Sequence, residues 1–188
     1  MARPKSNDKR SAILAAATRV ISQQGLSAPT ALIAKEADIA TGSLFTYFAT
    51  KEALFNQLYL ELKQGMVTAA LEGLPVRAGV RGRFFHAWSN WMHWAVSHPD
   101  HRRVLAQLGV SDEITAATRA AGHQAMAGLA DLMEQSRAKG PLHEAPMAFV
   151  ASIINSLAEA TMDFMVRDPR HADKHCKLAF EALWRVLG

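Results

Sequence analysis

The sequence predicts an all-α protein in two parts, a small N-terminal helix-turn-helix module and a larger helical domain, with about nine helices in total. Apolar residues recur at helical spacing along the chain, and no stretch alternates with the period of two that a half-buried strand needs. Glycine and proline mark the joints, at Gly25, between Gly73 and Gly82, at Pro99, Gly109, Gly140-Pro141 and Pro169. Residues 38–54, DIATGSLFTYFATKEAL, hold a turn, a short helix and a new helix start within seventeen positions.

In chain order, the first helix is expected to start near Ser6 or Asn7, both good N-caps, with Asp8 favourable in its first turn. Ile13, Ala17, Val20 and Ile21 trace one face, and Gly25 ends the helix. Ser27, Pro29 and Thr30 introduce a second helix whose inner side is Leu32, Ile33 and Ala37. Asp38 suits a tight turn, since aspartate tolerates the left-handed conformation better than most residues. A third helix follows from Thr41 to Phe48, with Leu44, Tyr47 and Phe48 to one side and Thr41, Gly42, Ser43 and Thr46 near the other. Thr50 can cap the fourth helix, residues 51–71, which carries Leu54, Phe55, Leu58, Tyr59, Leu62 and Met66 as its stripe.

Beyond the Gly/Pro stretch, an aromatic helix spans 80–97, with Phe84, Trp88 and Trp91 on one face. A short helix then ends at Gly109. A long alanine-rich helix is expected from about 112 to 139, with Ile114, Ala121, Ala125, Leu129 and Leu132 inward. Residues 145–167 are apolar almost all round, with Phe149, Ile153, Leu157, Ala160 and Phe164 on one side and Val150, Ile154, Met162 and Met165 on another; such a helix must be buried on more than one face. The last helix directs Phe180, Leu183, Trp184 and Leu187 inward. The domain boundaries that follow are 1–50 for the module, 51–72 for a linking helix and 73–188 for the remaining domain.

Two short helices joined by a tight turn can place the second in the major groove of DNA. The pattern of Gly25, Ile33-Ala34-Lys35-Glu36-Ala37, Gly42-Ser43-Leu44-Phe45-Thr46-Tyr47-Phe48 and Lys51-Glu52-Ala53-Leu54 resembles the DNA-binding region of the TetR (tetracycline-repressor) family over roughly residues 8–60. The departures are Asp38 in place of the turn glycine, Ala40 in place of a serine, and Phe45 in place of a common tyrosine, whose hydroxyl often touches phosphate in that family. Thr41, Ser43 and Thr46 are the candidates to meet bases, and Gly42 leaves room for close approach. Tyr47 and Lys51 are the expected phosphate contacts, and Thr30 completes the candidate DNA-binding set.

The net charge of +4 does not by itself indicate nucleic acid, but Arg3, Lys5, Lys9 and Arg10 stand against Asp8 alone in the first ten residues. Such a basic arm can add phosphate or minor-groove contacts; its alternative role is that of a solubilising tail. The single cysteine, Cys176, allows no internal disulfide, which suits a reducing cytoplasm. No apolar run approaches the roughly 18–20 residues of a membrane span, and no signal peptide is read at the N-terminus.

The tryptophans and methionines, among them Trp88, Trp91, Met92, Met126 and Met162, form either plain core or the wall of a cavity for a small lipophilic molecule. The resemblance favours the cavity. Asn155 and Glu159, with Asp163, are spaced four apart on an otherwise apolar helix and join the candidate ligand set if they face inward; facing outward they would meet solvent or a second subunit. His171 and His175 are also four apart, but lack a distinctive metal framework. No cofactor or catalytic motif is present in the sequence. The resemblance thus implies a homodimer, paired through its last two helices, that binds double-stranded DNA as a transcriptional regulator, with repression the expected output and a small lipophilic effector releasing it. The alternatives are a small-molecule carrier or helical enzyme that does not use the module for regulation, and a DNA-binding protein with no effector.

Overall fold

The computed structural model describes residues 4–188, with side chains from Asn7 onward. Ten α-helices and one 3-10 turn make up the described residues, and no strand occurs among them. They are α1 (Pro4–Gln24), α2 (Thr30–Glu36), α3 (Thr41–Tyr47), α4 (Lys51–Leu71), α5 (Val80–Ser97), α6 (Pro99–Gly109), α7 (Ala116–Ala125), α8 (Ala127–Arg137), α9 (Met147–Arg167) and α10 (Ala172–Leu187). Among the described residues α1 is helical from Pro4 on, so Ser6 and Asn7, where its start was expected, lie within it.

The chain packs as two units. The first comprises Met1–Gln64 and Pro99–Gln124. It therefore extends past the 1–50 module by the first two thirds of α4 and by α6 and nearly all of α7. Its core joins Ile13, Ala17 and Ile21 of α1 to Ile33, Leu44, Phe48, Leu54, Phe55 and Leu58, with Val104, Leu108 and Ile114 closing it from α6 and the turn after it. Polar contacts hold the same arrangement. Arg103 donates to the Ser22 carbonyl at 3.0 Å, and Asn56 both donates to the Glu113 carbonyl and accepts from the Thr115 N–H. Arg119 clamps the turn through the carbonyls of Gly109 and Ser111.

The second unit comprises Gly65–His98 and Ala125–Gly188. Its core is Phe84, Trp88 and Met92 of α5, Leu132 of α8, Val150, Ile154, Ala158, Met162 and Met165 of α9, and Cys176, Phe180, Leu183 and Leu187 of α10. Phe84, Phe85 and Trp184 all pack on Phe180, with ring centroids 4.9–6.0 Å apart. Arg137, only 8% exposed, ties down the turn after α8 by donating to the carbonyls of Leu142, His143 and Ala145. At the corner between α9 and α10, His175 and His171 each donate to Asp168 at 3.0 Å, and these bonds hold its carboxyl below the usual carboxylate range. The two histidines are thus tied to a turn carboxylate.

The structure corrects the sequence reading in three places. The single helix expected over 112–139 is two, α7 and α8, parted at Met126 with φ −90° and ψ 5°. Gly122 and Gly128 flank the break, and each lowers helix propensity by about 1 kcal/mol relative to alanine. Residues 112–115 form a turn, with the Thr115 hydroxyl capping α7 through the Thr118 N–H. Ala121, expected inward, is exposed; its neighbour Gly122 is the buried one. On α9, Phe149 and Phe164 are 54% and 56% exposed in the single chain, so the apolar stripe faces the core on one side only. Helix α9 is also long and apolar enough in average composition to pass as a membrane span, although Glu159 and Asp163 interrupt its run. Its buried apolar residues belong to the second core.

Gly122 is held glycine by packing. A Cβ placed there would lie 2.8 Å from the Tyr59 ring, which is buried and whose phenol is pushed up by that burial. Overpacking of this kind costs about 1–3 kcal/mol, against about 1 kcal/mol regained in helix propensity. Gly122→Ala is therefore expected to lower the urea midpoint with an unchanged slope. An unaltered or higher midpoint would show that Tyr59 moves aside freely.

Candidate nucleic-acid interface

The site is built on backbone turns before any side chain reaches outward. Gly25, with φ 79°, lets its N–H bond the Ile21 carbonyl at 2.8 Å and turns the chain out of α1. Thr30 is the first residue of α2 and half-buried, and Ile33 and Ala34 fix the helix to the core. The helix ends in a Schellman arrangement: the Ile39 N–H reaches the Ala34 carbonyl at 3.0 Å and the Asp38 N–H reaches that of Lys35 at 3.1 Å. Asp38 sits at the left-handed position with φ 52°, the conformation the sequence asked of it.

The next helix, α3, has only seven residues and is held by its own Leu44, at 0% exposure, and by Phe48, the residue that follows it, at 3%. The Arg10 guanidinium lies over the Phe48 ring, 4.7 Å from its centroid. With that side fixed, Thr41, Gly42, Ser43, Phe45 and Thr46 are exposed, and Tyr47 is half-buried against the core. No heavy atom lies within 4 Å of a Cβ built on Gly42, so the backbone there is open to close approach. Ala40 gives α3 no side-chain cap, whereas Thr50 caps α4 by accepting from the Ala53 N–H at 3.0 Å. Lys51 then begins α4, its Nζ resting 5.3 Å from the Phe55 ring centroid.

Ser43, Thr46 and Tyr47 line one groove of about 350 Å³ with Lys9, Asp38, Ile39 and Ala40. Lys9 therefore brings the basic arm to the third helix, while the side chains of Arg3 and Lys5 lie outside the described residues. Arg19, by contrast, is committed to Glu36 at 2.6 Å. Of the candidate DNA-binding set, Thr41, Gly42, Ser43, Thr46 and Tyr47 share α3, Lys51 follows at the start of α4, and Thr30 stands at the start of α2. The sequence reading left out Phe45, 44% exposed; the available signal was its offset of one residue from the inward Leu44.

The candidate ligand set is only partly brought together. Trp88, Met92 and Met162 lie in the second core, with Trp91 packed on them edge-on, its ring centroid 6.1 Å from that of Trp88. The Trp88 indole N–H donates to the Cys176 carbonyl at 3.2 Å, and burial pushes the Cys176 thiol up. Met126 sits at the break between α7 and α8. Asn155 and Glu159 are exposed on α9, so they stand apart from the buried tryptophan and methionine residues.

Residues 13–58 match the family profile for bacterial regulatory proteins, tetR family. Over 85 residues the chain is 35% identical to the uncharacterized HTH-type transcriptional regulator YhgD of Bacillus subtilis (strain 168), a match covering 43% of this chain and 44% of that protein. The match thus spans less than half the length of that relative. A crystal structure from Shewanella sp. PV-4, assigned to the tetR family of transcription regulators, superposes with a TM-score of 0.84 at 27% identity, covering 94% of this chain and 96% of that one. The fold is also that of the transcriptional regulator FadR from Bacillus subtilis, crystallised with stearoyl-CoA, at a TM-score of 0.69 and 16% identity, over 92% of this chain and 96% of that one. With the turn, the short outward helix and the capped α4 arranged as described, residues 13–58 form a region of the tetR-family type, and the chain as a whole is similar to transcription regulators of that family.

Proposed function

We propose that the protein is a homodimeric repressor that binds a near-palindromic operator and is released by a small lipophilic effector. The observation that carries the DNA reading is the outward face of α3, small, polar and open at Gly42, beside the Lys9 groove and the Lys51 helix start. Thr41, Ser43 and Thr46 would meet base edges and Tyr47 and Lys51 phosphates, an arrangement in which phosphates fix register and bases supply sequence. The free N–H groups at the start of α4 add to the Lys51 charge. Thr30 would reach the backbone from the start of α2.

Dimerisation is supported by what α9 and α10 leave uncovered. Phe149, Phe164 and Val166 on α9 and Leu178 and Val186 on α10 are exposed in the single chain. Between the two helices runs a groove of about 550 Å³ lined by Ser152, Ile153, Ser156, Leu157, Ala160, Ala182, Leu183 and Val186. Apolar side chains left open on two adjacent helices, with a groove between those helices, support a protein interface here. A two-fold axis through it would pair α9 and α10 with their copies and present two third helices to successive major grooves, hence the near-palindrome. Exposed Asn155 and Glu159 would then lie at or beside that interface.

For the effector, the Trp88, Trp91, Met92 and Met162 cluster supports an apolar ligand, since methionine and aromatic side chains can repack around one. α4 is continuous from Lys51 to Leu71 and contributes residues to both packing units, so a change at its far end would be felt at its start. The ligand acts only through its different affinities for the DNA-competent and released states. Such a regulator works in the cytoplasm, in keeping with a single, buried, unpaired cysteine.

Selection of duplexes from a random pool, at fixed salt, is expected to return one near-palindromic site. Recovery of nothing above background from a folded dimer would sink the repressor reading for the free protein. On the recovered site, Lys51→Ala should weaken binding to every sequence alike and reduce the salt slope by about 1 for each phosphate that is no longer neutralised. An unchanged slope would remove Lys51 from the phosphate contacts. Phe164→Glu combined with Val186→Glu should yield monomers in sedimentation, with helix content retained and operator binding lost; dimers that persist would place the interface elsewhere. A thermal-shift screen of lipophilic compounds should find at least one that stabilises the protein by about 3 kcal/mol at a hundred times its Kd. If every stabilising compound left operator affinity untouched, the effector reading would fail.

A further inference from the structure

We propose that Phe45 reads a thymine through its C5-methyl group, adding an apolar contact to the hydroxyl contacts of α3. The inference rests on the DNA-binding reading above and deepens it.

Successive residues on a helix turn by about 100°. With Leu44 directed into the core, the outer surface of α3 divides into a crest and two flanks. Gly42 and Thr46 form the crest. Ser43 and Tyr47 form one flank, and they line the groove that contains Lys9. Thr41 and Phe45, one turn apart, form the other flank, and neither lines that groove. The two flanks differ in chemistry: one carries hydroxyls and an ammonium, the other a threonine methyl and a phenyl ring.

The ring is not needed to hold α3 in place. Leu44 and Phe48 do that with 0% and 3% exposure, whereas Phe45 is 44% exposed. A phenyl ring has no atom to offer a phosphate oxygen. On the major-groove edge of duplex DNA the apolar group within reach of a helix is the thymine methyl, and phenylalanine is among the side chains suited to it. Gly42, one turn before Phe45, has open space where a Cβ would stand, so α3 can approach closely enough for the ring to reach a base edge. The cations that would draw the duplex to this surface are near it in the chain: Lys9 in the groove, the exposed Lys35 at the end of α2 and Lys51 after α3. A dimer would make the contact once per half-site.

The test uses the full-length protein and the duplex recovered by selection, with each thymine of one half-site replaced in turn by deoxyuridine, which lacks only the methyl. Wild-type protein should lose about fourfold in affinity at one position, the factor expected for burying a single methyl group. Phe45→Ala should bind the thymine duplex more weakly and bind the thymine and uracil duplexes at that position equally. Phe45→Tyr, which keeps the ring, should retain the preference. Circular dichroism should show the alanine variant folded, since the ring contributes little to the core. Wild-type protein indifferent to uracil at every position would overturn the proposal and leave the regulator reading standing, as would a half-site without thymine or a Phe45→Ala variant that still discriminates. Failure to recover any duplex would instead remove the DNA-binding reading, and this inference with it.

Discussion

The turn at Asp38 is the constraint on which the candidate interface depends. Two backbone bonds, Ile39 to Ala34 and Asp38 to Lys35, close the end of α2 and fix the direction in which the chain leaves it. Only a residue that accepts a positive φ can stand at the apex, and Asp38 does so at 52°. Glycine would enter that conformation without strain, while aspartate gives up some of that ease and limits the alternatives open to the unfolded chain. A β-branched residue would be a true outlier there. If this turn opened, α3 would still be a helix by pattern, but it would have no defined angle to α2 and no defined outer face.

The shortness of α3 makes that dependence strong. Seven residues are too few for an independent helix in water, because the nucleation cost is spread over too few bonds. Stability must come from outside it: Leu44 and Phe48 in the core, Arg10 over the Phe48 ring, and Thr50 capping the helix that follows. These contacts all lie on or beyond the inward side. The outward side is therefore released from any structural duty, and its residues can be chosen for what they meet. Thr41, Ser43 and Thr46 offer hydroxyls that bond to several base edges alike, so they do not spell out a sequence. Apolar contact and DNA shape are the other ways for so small a face to discriminate.

Much of the first unit was legible because its determinants are local. The turn conformation, the capping of α4 by Thr50, the inward positions of Leu44 and Phe48 and the residues that carry the family resemblance all lie within residues 25–54, where local pattern and spacing reveal them. The misreadings occur where neighbours far along the chain decide. An alanine-rich pattern from 112 to 139 reads as one helix because alanine favours helix at every step, yet α7 packs in one unit and α8 in the other, and the chain breaks between them. Alanine has too little side chain to show which unit it serves. Asn155 and Glu159 were grouped with the tryptophans on the strength of sharing an apolar helix, but periodicity cannot say which of two apolar faces meets the core. Phe45 was judged by the hydroxyl it lacks, and the exposure of its ring became visible only with the fold.

The same ambiguity explains why the apolar face of α9 was read as core. A stripe of phenylalanine, isoleucine and leucine has one sequence signature whether it packs against the same chain or against a copy of it. Within one chain, Val150, Ile154, Ala158, Met162 and Met165 face the second core, whereas Phe149 and Phe164 stay open to solvent. Under the proposed dimer, the reading that the helix must be buried on more than one face would become a statement about assembly. On α10, Leu178 and Val186 are open while Leu183 is buried, and Val186 lines one groove with Ile153 and Leu157 of α9. Two faces of this kind satisfy each other under two-fold symmetry, which lets one surface serve both subunits. Under the proposed dimer, α9 and α10 would set which surface the two copies share, far along the chain from the residues proposed to touch bases.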